Sequence, residues 1–164
     1  MHPILSTGLL IGLLCGAWMF TMGATGWYLD PAKLNLFFLV VVIEVVGLLW
    51  GLRRTAAQGR TYSGQVVAGT GMAIVAAVVI FICSMVFTTV AFPDYFNDIN
   101  EMSRRLMEAD GKSAAEIDTA IAAAAPMQTP VAYAMSGVIG TFVTGVVASA
   151  VIGLWIKAPA RARL

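Results

Sequence analysis

Four long apolar runs constrain this chain more than anything else in it. Residues 4–28, 34–52, 66–92 and 131–156 each match or exceed the length of helix that crosses a hydrocarbon core, about 20 residues. Inside lipid every backbone amide has to be satisfied within its own segment, so runs of this kind are helices. Glu44 interrupts the second run and leaves it the weakest of the four by hydropathy. Only 12% of the 164 residues are charged, and the stretches between the runs are too short for a separate soluble domain. The expectation is an all-α membrane protein with four transmembrane helices. It forms a single polytopic domain over residues 1–164, with residues 93–130 as the one long connector.

The formal net charge of +1 conceals an asymmetry. The loop 53–65 carries Arg53, Arg54 and Arg60 and no acid, and the stretch after Ile156 carries Lys157, Arg161 and Arg163, again without an acid. The connector carries Asp94, Asp98, Glu101, Glu108, Asp110, Glu116 and Asp118 against Arg104, Arg105 and Lys112. Lys and Arg gather on the cytoplasmic side of membrane proteins. Both termini are therefore expected inside (N-in/C-in), with the connector extracytoplasmic. The six basic residues of the loop and the C-terminal stretch are candidate contacts for anionic lipid headgroups. Expected partners are membrane lipids and other membrane proteins, not nucleic acid.

The first run differs from a secretory signal. Only His2 precedes it where a basic segment belongs, and it is longer than a usual signal core. Leu14 stands where a lipoprotein cleavage box requires a small residue before Cys15. The first helix is expected to stay in the mature protein, with Trp27 and Tyr28 ending it at the interface.

Glu44 is the one ionisable residue deep in any run. A carboxylate at a helix centre costs about 2.5–3.5 kcal/mol on insertion scales, and such residues often mark ion or proton paths. The ordinary alternative is a protonated carboxyl that donates one hydrogen bond to a neighbouring helix. Thr141 and Thr144 lie nearest in depth, and no Lys, Arg or His does. The two cysteines, Cys15 and Cys83, both fall within spans and read as small buried hydrophobes, not as a disulfide. With one distant His they make no metal site, and no cofactor is expected.

Small residues recur every fourth position in several runs, a spacing that lets a neighbouring backbone approach closely. The ladders are Gly8, Gly12 and Gly16 in the first run and Gly47 and Gly51 in the second. Gly69, Ala73 and Ala77 follow in the third, and Gly137, Thr141, Gly145, Ser149 and Gly153 in the last. At about 100° per residue the last ladder winds by a net of roughly 160° from end to end. Its outer end is therefore expected to meet the second helix near Glu44, and its inner end the first helix or another protein.

The connector reads as a helical hairpin. Asp94 is a candidate N-cap, and Tyr95, Ile99, Met102 and Leu106 form an amphipathic stripe. Glu101 with Arg105 and Arg104 with Glu108 are spaced for ion pairs along one helix. Gly111 fits a stop, and Ser113 with Glu116 forms a capping box for a second helix in which Ile117 and Ile121 share a face before Pro126. The Tyr95–Leu106 stripe is expected to cover either the bundle's own helices or a partner.

The order of these features carries a resemblance. Two spans precede a short basic loop with Gly-x-x-Tyr-x-x-Gln (Gly59, Tyr62, Gln65) and a third span. A charged segment with Ser-x-x-Glu-Ile (Ser113, Glu116, Ile117), then Thr129-Pro130 and a Gly-rich last span complete it. This resembles the small bacterial inner-membrane proteins catalogued as domain of unknown function 4199. The likeness covers nearly the whole chain, although the alanines at 122–125 depart from that family's more charged pattern. The resemblance implies a four-helix fold and a bacterial cytoplasmic (inner) membrane location. It carries over no activity and no functional residue.

An enzyme is not expected: His2 is near the terminus, Glu44 stands alone, and the connector carboxylates are spaced for solubility with no acid–base pair singled out. More small-residue grooves are present than four short helices need, so the leading expectation is a structural or accessory subunit, or a homo-oligomeric scaffold. The alternative that every groove is used within the bundle stays open. A transporter, channel or proton-linked carrier built on Glu44 is the second expectation.

Overall fold

Helix accounts for nearly every element of the computed structural model, which describes residues 2–156; Lys157, Arg161 and Arg163 lie outside the described residues. Six α-helices follow one another: α1 (Pro3–Ala24), α2 (Leu39–Ala56), α3 (Tyr62–Val86), α4 (Tyr95–Ala109), α5 (Ala114–Ala124) and α6 (Pro130–Trp155). Four of them are long and apolar enough to cross a membrane: α1, α2 together with its leading turn from Leu34, α3 with its trailing turn to Ala91, and α6. Large apolar side chains such as Val46, Val67, Val90 and Val147 point outward along all of these but α1, where Leu13 does the same.

The ends of the spans are set by backbone chemistry that hydropathy does not register. α1 stops at Ala24, not at Tyr28, because Gly26 takes a left-handed conformation (φ 67°) that ends the helix. Trp27–Leu29 then forms a separate 3-10 turn. Asp30 accepts a hydrogen bond from the Ala32 amide at 3.0 Å and pairs with Lys33 at 2.9 Å, which closes the tight turn into the second span. That span opens as a 3-10 turn, Leu34–Phe38, and runs past Leu52 to Ala56. Arg53 and Arg54 thus ride on its last turn, where positive charge suits the helix C-terminus. α3 begins at Tyr62, inside what the loop 53–65 was expected to contain, and ends in a π turn at Phe87–Ala91.

α3 is the central helix. α1 lies against it through Gly8, Gly12 and Gly16, where a Cβ would stand 2.6 Å from the Met72 carbonyl, 2.6 Å from Val79 Cβ and 2.7 Å from Cys83 Sγ. α6 lies against it through the last ladder: Gly137 meets Ile80, Gly145 meets Ala73, Ser149 fills the space over Gly69, and Gly153 meets Tyr62 and Gln65. This corrects the expectation that the ladder's ends address different neighbours. Gly137 and Gly153 both face α3, because a neighbour crossing obliquely follows a winding groove from end to end. α2 in turn packs on α1, with Ile11 seated over Gly47 and Thr7 over Gly51.

The connector folds onto one end of its own bundle. Tyr95 is buried against Met19 and Phe87, and Ile99 packs beside it. α4 ends in a Schellman arrangement: Gly111 (φ 78°) donates to the Glu108 carbonyl and Lys112 to the Met107 carbonyl, each at 3.0 Å. The Ser113–Glu116 capping box forms as expected, and Ile117 is buried. Two details differ from the sequence reading. Asp94 occupies the N-cap position of α4 without a side-chain cap. Arg104 reaches across the hairpin to Asp118 at 2.8 Å and not along its own helix to Glu108, since the folded-back α5 brings that carboxylate within reach. Glu101 and Arg105 do pair.

Candidate functional site

Small residues decide where the helices touch and, by their absence, where they part. On α2 the glycines Gly47 and Gly51 lie only on the C-terminal side of Glu44. Toward the N-terminal end, Leu39 to Ile43 contain no small residue, and the span starts as a 3-10 turn. That turn is pinned to α1 by the Trp18 indole, which donates to the Leu36 carbonyl at 3.0 Å. The helices consequently stay apart beyond Glu44. They leave a partly open cavity of about 370 Å³ between α1, α2, α3 and α6, with the exposed Phe38 and Gly140 at its rim.

The cavity is predominantly apolar. Phe37, Phe38 and Val41 line it from α2 and its leading turn, Met19 from α1, Ile80 from α3 and Tyr133 from α6. Gly140 borders it with nothing within 4 Å of where a Cβ would be. Glu44 is its one carboxyl, and its side chain is 5% exposed. The Oε1 atom sits over Gly145, 3.0 Å from a Cβ built there, and has no hydrogen-bond partner. A larger residue at 145 would displace the carboxyl.

Thr141 and Thr144 border the same cavity, as their depth predicted, but neither hydrogen-bonds Glu44. Ser136 spends its hydroxyl on the Ala132 carbonyl at 2.9 Å, and Ser84 turns its own toward Met19 Sδ at 3.9 Å. Both cysteines are free and both line the cavity; the Cys15 thiol points to the Val40 carbonyl at 3.7 Å. Two thiols from different spans on one wall were not foreseeable from their spacing.

Two polar assemblies hold the bundle's ends. At the end remote from the connector Gln65, fully buried, donates through Nε2 to the carbonyls of Leu52 and Ile156, both at 3.0 Å, and accepts from the Thr55 hydroxyl at 2.5 Å. One amide thus joins α2, α3 and the end of α6. Sequence reasoning left Gln65 in a loop; its position immediately before an apolar run was the available signal. Nearby, Arg54 stacks on Trp50 at 4.6 Å, and Arg53 is exposed while Arg60 is half-buried.

At the other end, Tyr28, Phe87, Phe92, Tyr95, Phe96 and Tyr133 form a continuous aromatic cluster, with Phe87 and Phe92 at 4.6 Å between centroids. The π turn is what brings those two rings together, since it closes on the Phe92 amide and the Phe87 carbonyl at 2.8 Å. Tyr28 donates to Asp98 Oδ2 at 2.7 Å. Burial, then the Asp98 hydrogen bond and charge, push the Tyr28 phenol up to about 12. Burial and the neighbouring Tyr133 hold the Tyr95 phenol above its ordinary range. Of the expected partner-facing stripe, Tyr95 and Ile99 are used inside the chain. Met102 and Leu106 border an open cleft of about 380 Å³ at the connector end with Leu29, Pro31 and Arg105.

The fold and the site define a class: a four-helix, multi-pass membrane protein with a single carboxyl set in an apolar cavity between its helices. The chain belongs to the family described as protein of unknown function (DUF4199), whose model matches residues 6–158. Comparison with curated proteins finds no match, and comparison with solved structures finds none either.

Proposed function

We propose that this protein takes a small, largely apolar molecule from the bilayer into the Glu44 cavity and serves as a binding protein or proton-linked carrier in a bacterial inner membrane. One observation carries the reading: a carboxyl with an unpartnered buried oxygen lines an otherwise apolar space of about 370 Å³. Pockets of this size and lining suit small ligands held by one polar anchor. Among the described residues the cavity offers Glu44 no second acid or base of comparable strength, so its work is binding and not catalysis.

The test uses the protein in lipid nanodiscs with neutral aminoanthracene as a fluorescent probe. Saturable binding beyond that of empty nanodiscs is expected. It should be lost in Gly140→Phe, whose ring fills the cavity from a position where it meets no packed neighbour. Absence of saturable binding, or full binding in that variant, overturns the reading.

A surplus of small-residue grooves no longer supports an accessory or homo-oligomeric role, because the glycines of those grooves face the chain's own helices. That role rests instead on the outer cleft, where Leu106 is 40% exposed beside Met102 and Leu29. Crosslinking from Leu106→Cys in native membranes checks it; a purely monomeric product with no attached partner excludes it. Arg53, Arg54 and Arg60 at one end of the bundle and the acidic connector at the other support cytoplasmic termini and an outer hairpin. Labelling of Ser63→Cys and Asp110→Cys with an impermeant maleimide in whole cells should modify only the second.

A further inference from the structure

We propose that the occupant of the Glu44 cavity is a lipophilic monocation, an amphiphile with a bulky apolar body and one positive charge, bound as the counter-ion of Glu44. The inference rests on the cavity-binding reading above and names its substrate class.

A carboxylate taken out of water is stable only beside a positive charge or several donors, and a neutral carboxyl still needs an acceptor for its proton. Glu44 has neither: no hydrogen bond reaches Oε1, and the side chain is 5% exposed. The titratable groups that line the cavity from the packed helices are Cys15 on α1, Cys83 on α3 and Tyr133 on α6. None of these becomes positive in any protonation state. The protein therefore supplies no counter-ion from within this wall, and a bound cation is the species that completes it.

The remaining lining narrows the ligand further. An anion would meet the carboxyl and no cationic side chain. A neutral molecule rich in hydrogen-bonding groups would find few partners, since Ser136 and Ser84 are already turned to the Ala132 carbonyl and to Met19, which leaves chiefly the Thr141 and Thr144 hydroxyls beside Glu44. The rings of Phe37, Phe38 and Tyr133 border the same space, and aromatic faces attract a desolvated cation. One charge, a large apolar body and few donors fit this wall. When the cation enters, the Glu44 O–H bond breaks, the proton leaves to water, and the carboxylate formed pairs with the cation. The charge of the occupied cavity is then unchanged, and one proton is exchanged for one cation.

The experiment measures displacement of aminoanthracene from the intact protein in zwitterionic nanodiscs by tetraphenylphosphonium and by its isosteric anion, tetraphenylborate. Tetraphenylphosphonium should displace the probe and release one proton per site in weakly buffered solution, whereas tetraphenylborate should not compete. Glu44→Gln keeps size and removes charge; equilibrium dialysis should show tetraphenylphosphonium weakened at least about tenfold, with no proton release. An unchanged far-ultraviolet circular dichroism spectrum and unfolding midpoint show that the variant is folded. Equal competition by both ions, or an unchanged tetraphenylphosphonium affinity in Glu44→Gln, overturns the cation assignment and leaves the cavity reading standing. Failure of aminoanthracene to bind the wild-type protein overturns both.

Discussion

The Ser149 side chain occupies the space directly above Gly69, where any other residue would begin its side chain. That contact joins the two longest helices of the bundle toward the Gln65 end of their shared seam. Both members are small for the same reason, since a backbone-to-backbone approach leaves no volume for more. Gly69→Ala should destabilise the protein by roughly 1–3 kcal/mol through overpacking. Gly140→Ala, facing open space, should be nearly silent. Unfolding in mixed detergent, followed by tryptophan fluorescence, separates the two.

The Gln65 amide is the corresponding fastening at the end remote from the connector. Gln65→Leu removes a donor from the Leu52 and Ile156 carbonyls and one acceptor from the Thr55 hydroxyl, which keeps its bond to the Leu52 carbonyl, so the Ile156 carbonyl loses most. Leaving buried polar groups unpaired costs about 1–3 kcal/mol each. The expected outcome is faster amide exchange in the last turns of α2 and α6, with the connector end of the bundle unaffected. Uniform acceleration throughout the chain would show that Gln65 is not a local clasp.

Docking of α4 carries its own dependence on pH. The Tyr28 phenol is raised from 10.0 to about 12 in the folded protein, first by burial and then by Asp98. A raised pKa means that the folded state favours the protonated phenol. Its contribution is complete below pH 10 and is lost as pH rises through about 12. Proteolysis of the connector should therefore accelerate between those values. Tyr28→Phe should weaken docking at neutral pH and flatten that rise, leaving the part due to Tyr95, whose phenol is shifted in the same direction.

The connector's ion pair across the hairpin is exposed, with side chains 41% and 66% accessible at Arg104 and Asp118. Exposed pairs couple by about 0.2–1 kcal/mol. A double-mutant cycle on Arg104→Ala and Asp118→Ala should yield coupling within that range, and the cycle with Glu108→Ala should yield none. Coupling to Glu108 alone would contradict the observed arrangement.

The local features of this chain were readable from residues near one another. The Ser113–Glu116 box and the Gly111 stop depend on interactions over three or four residues, so spacing alone reveals them. Span ends were less readable. Hydropathy scores Trp27 and Tyr28 as continuation, whereas the left-handed Gly26 ends the helix before them. In the site, the depth of Glu44 and its proximity to Thr141 and Thr144 followed from counting along the spans. The missing hydrogen bond between them did not.

What the sequence determined by itself is that four helices are apolar enough to cross a bilayer, that small residues ride on their faces, and that one acid is stranded among them. Each of these follows from the identity and period of neighbouring residues. Only the tertiary structure decided which backbone each small residue admits. A ladder states that some helix approaches closely and is silent about which one; α3 takes both Gly137 and Gly153 because it crosses along the winding of α6. The cavity is a further step removed, being the volume where side chains from four separate segments fail to meet. No single segment encodes such a space, and Glu44 acquires its role only because Gly145 and the parted ends of α1 and α2 leave it there.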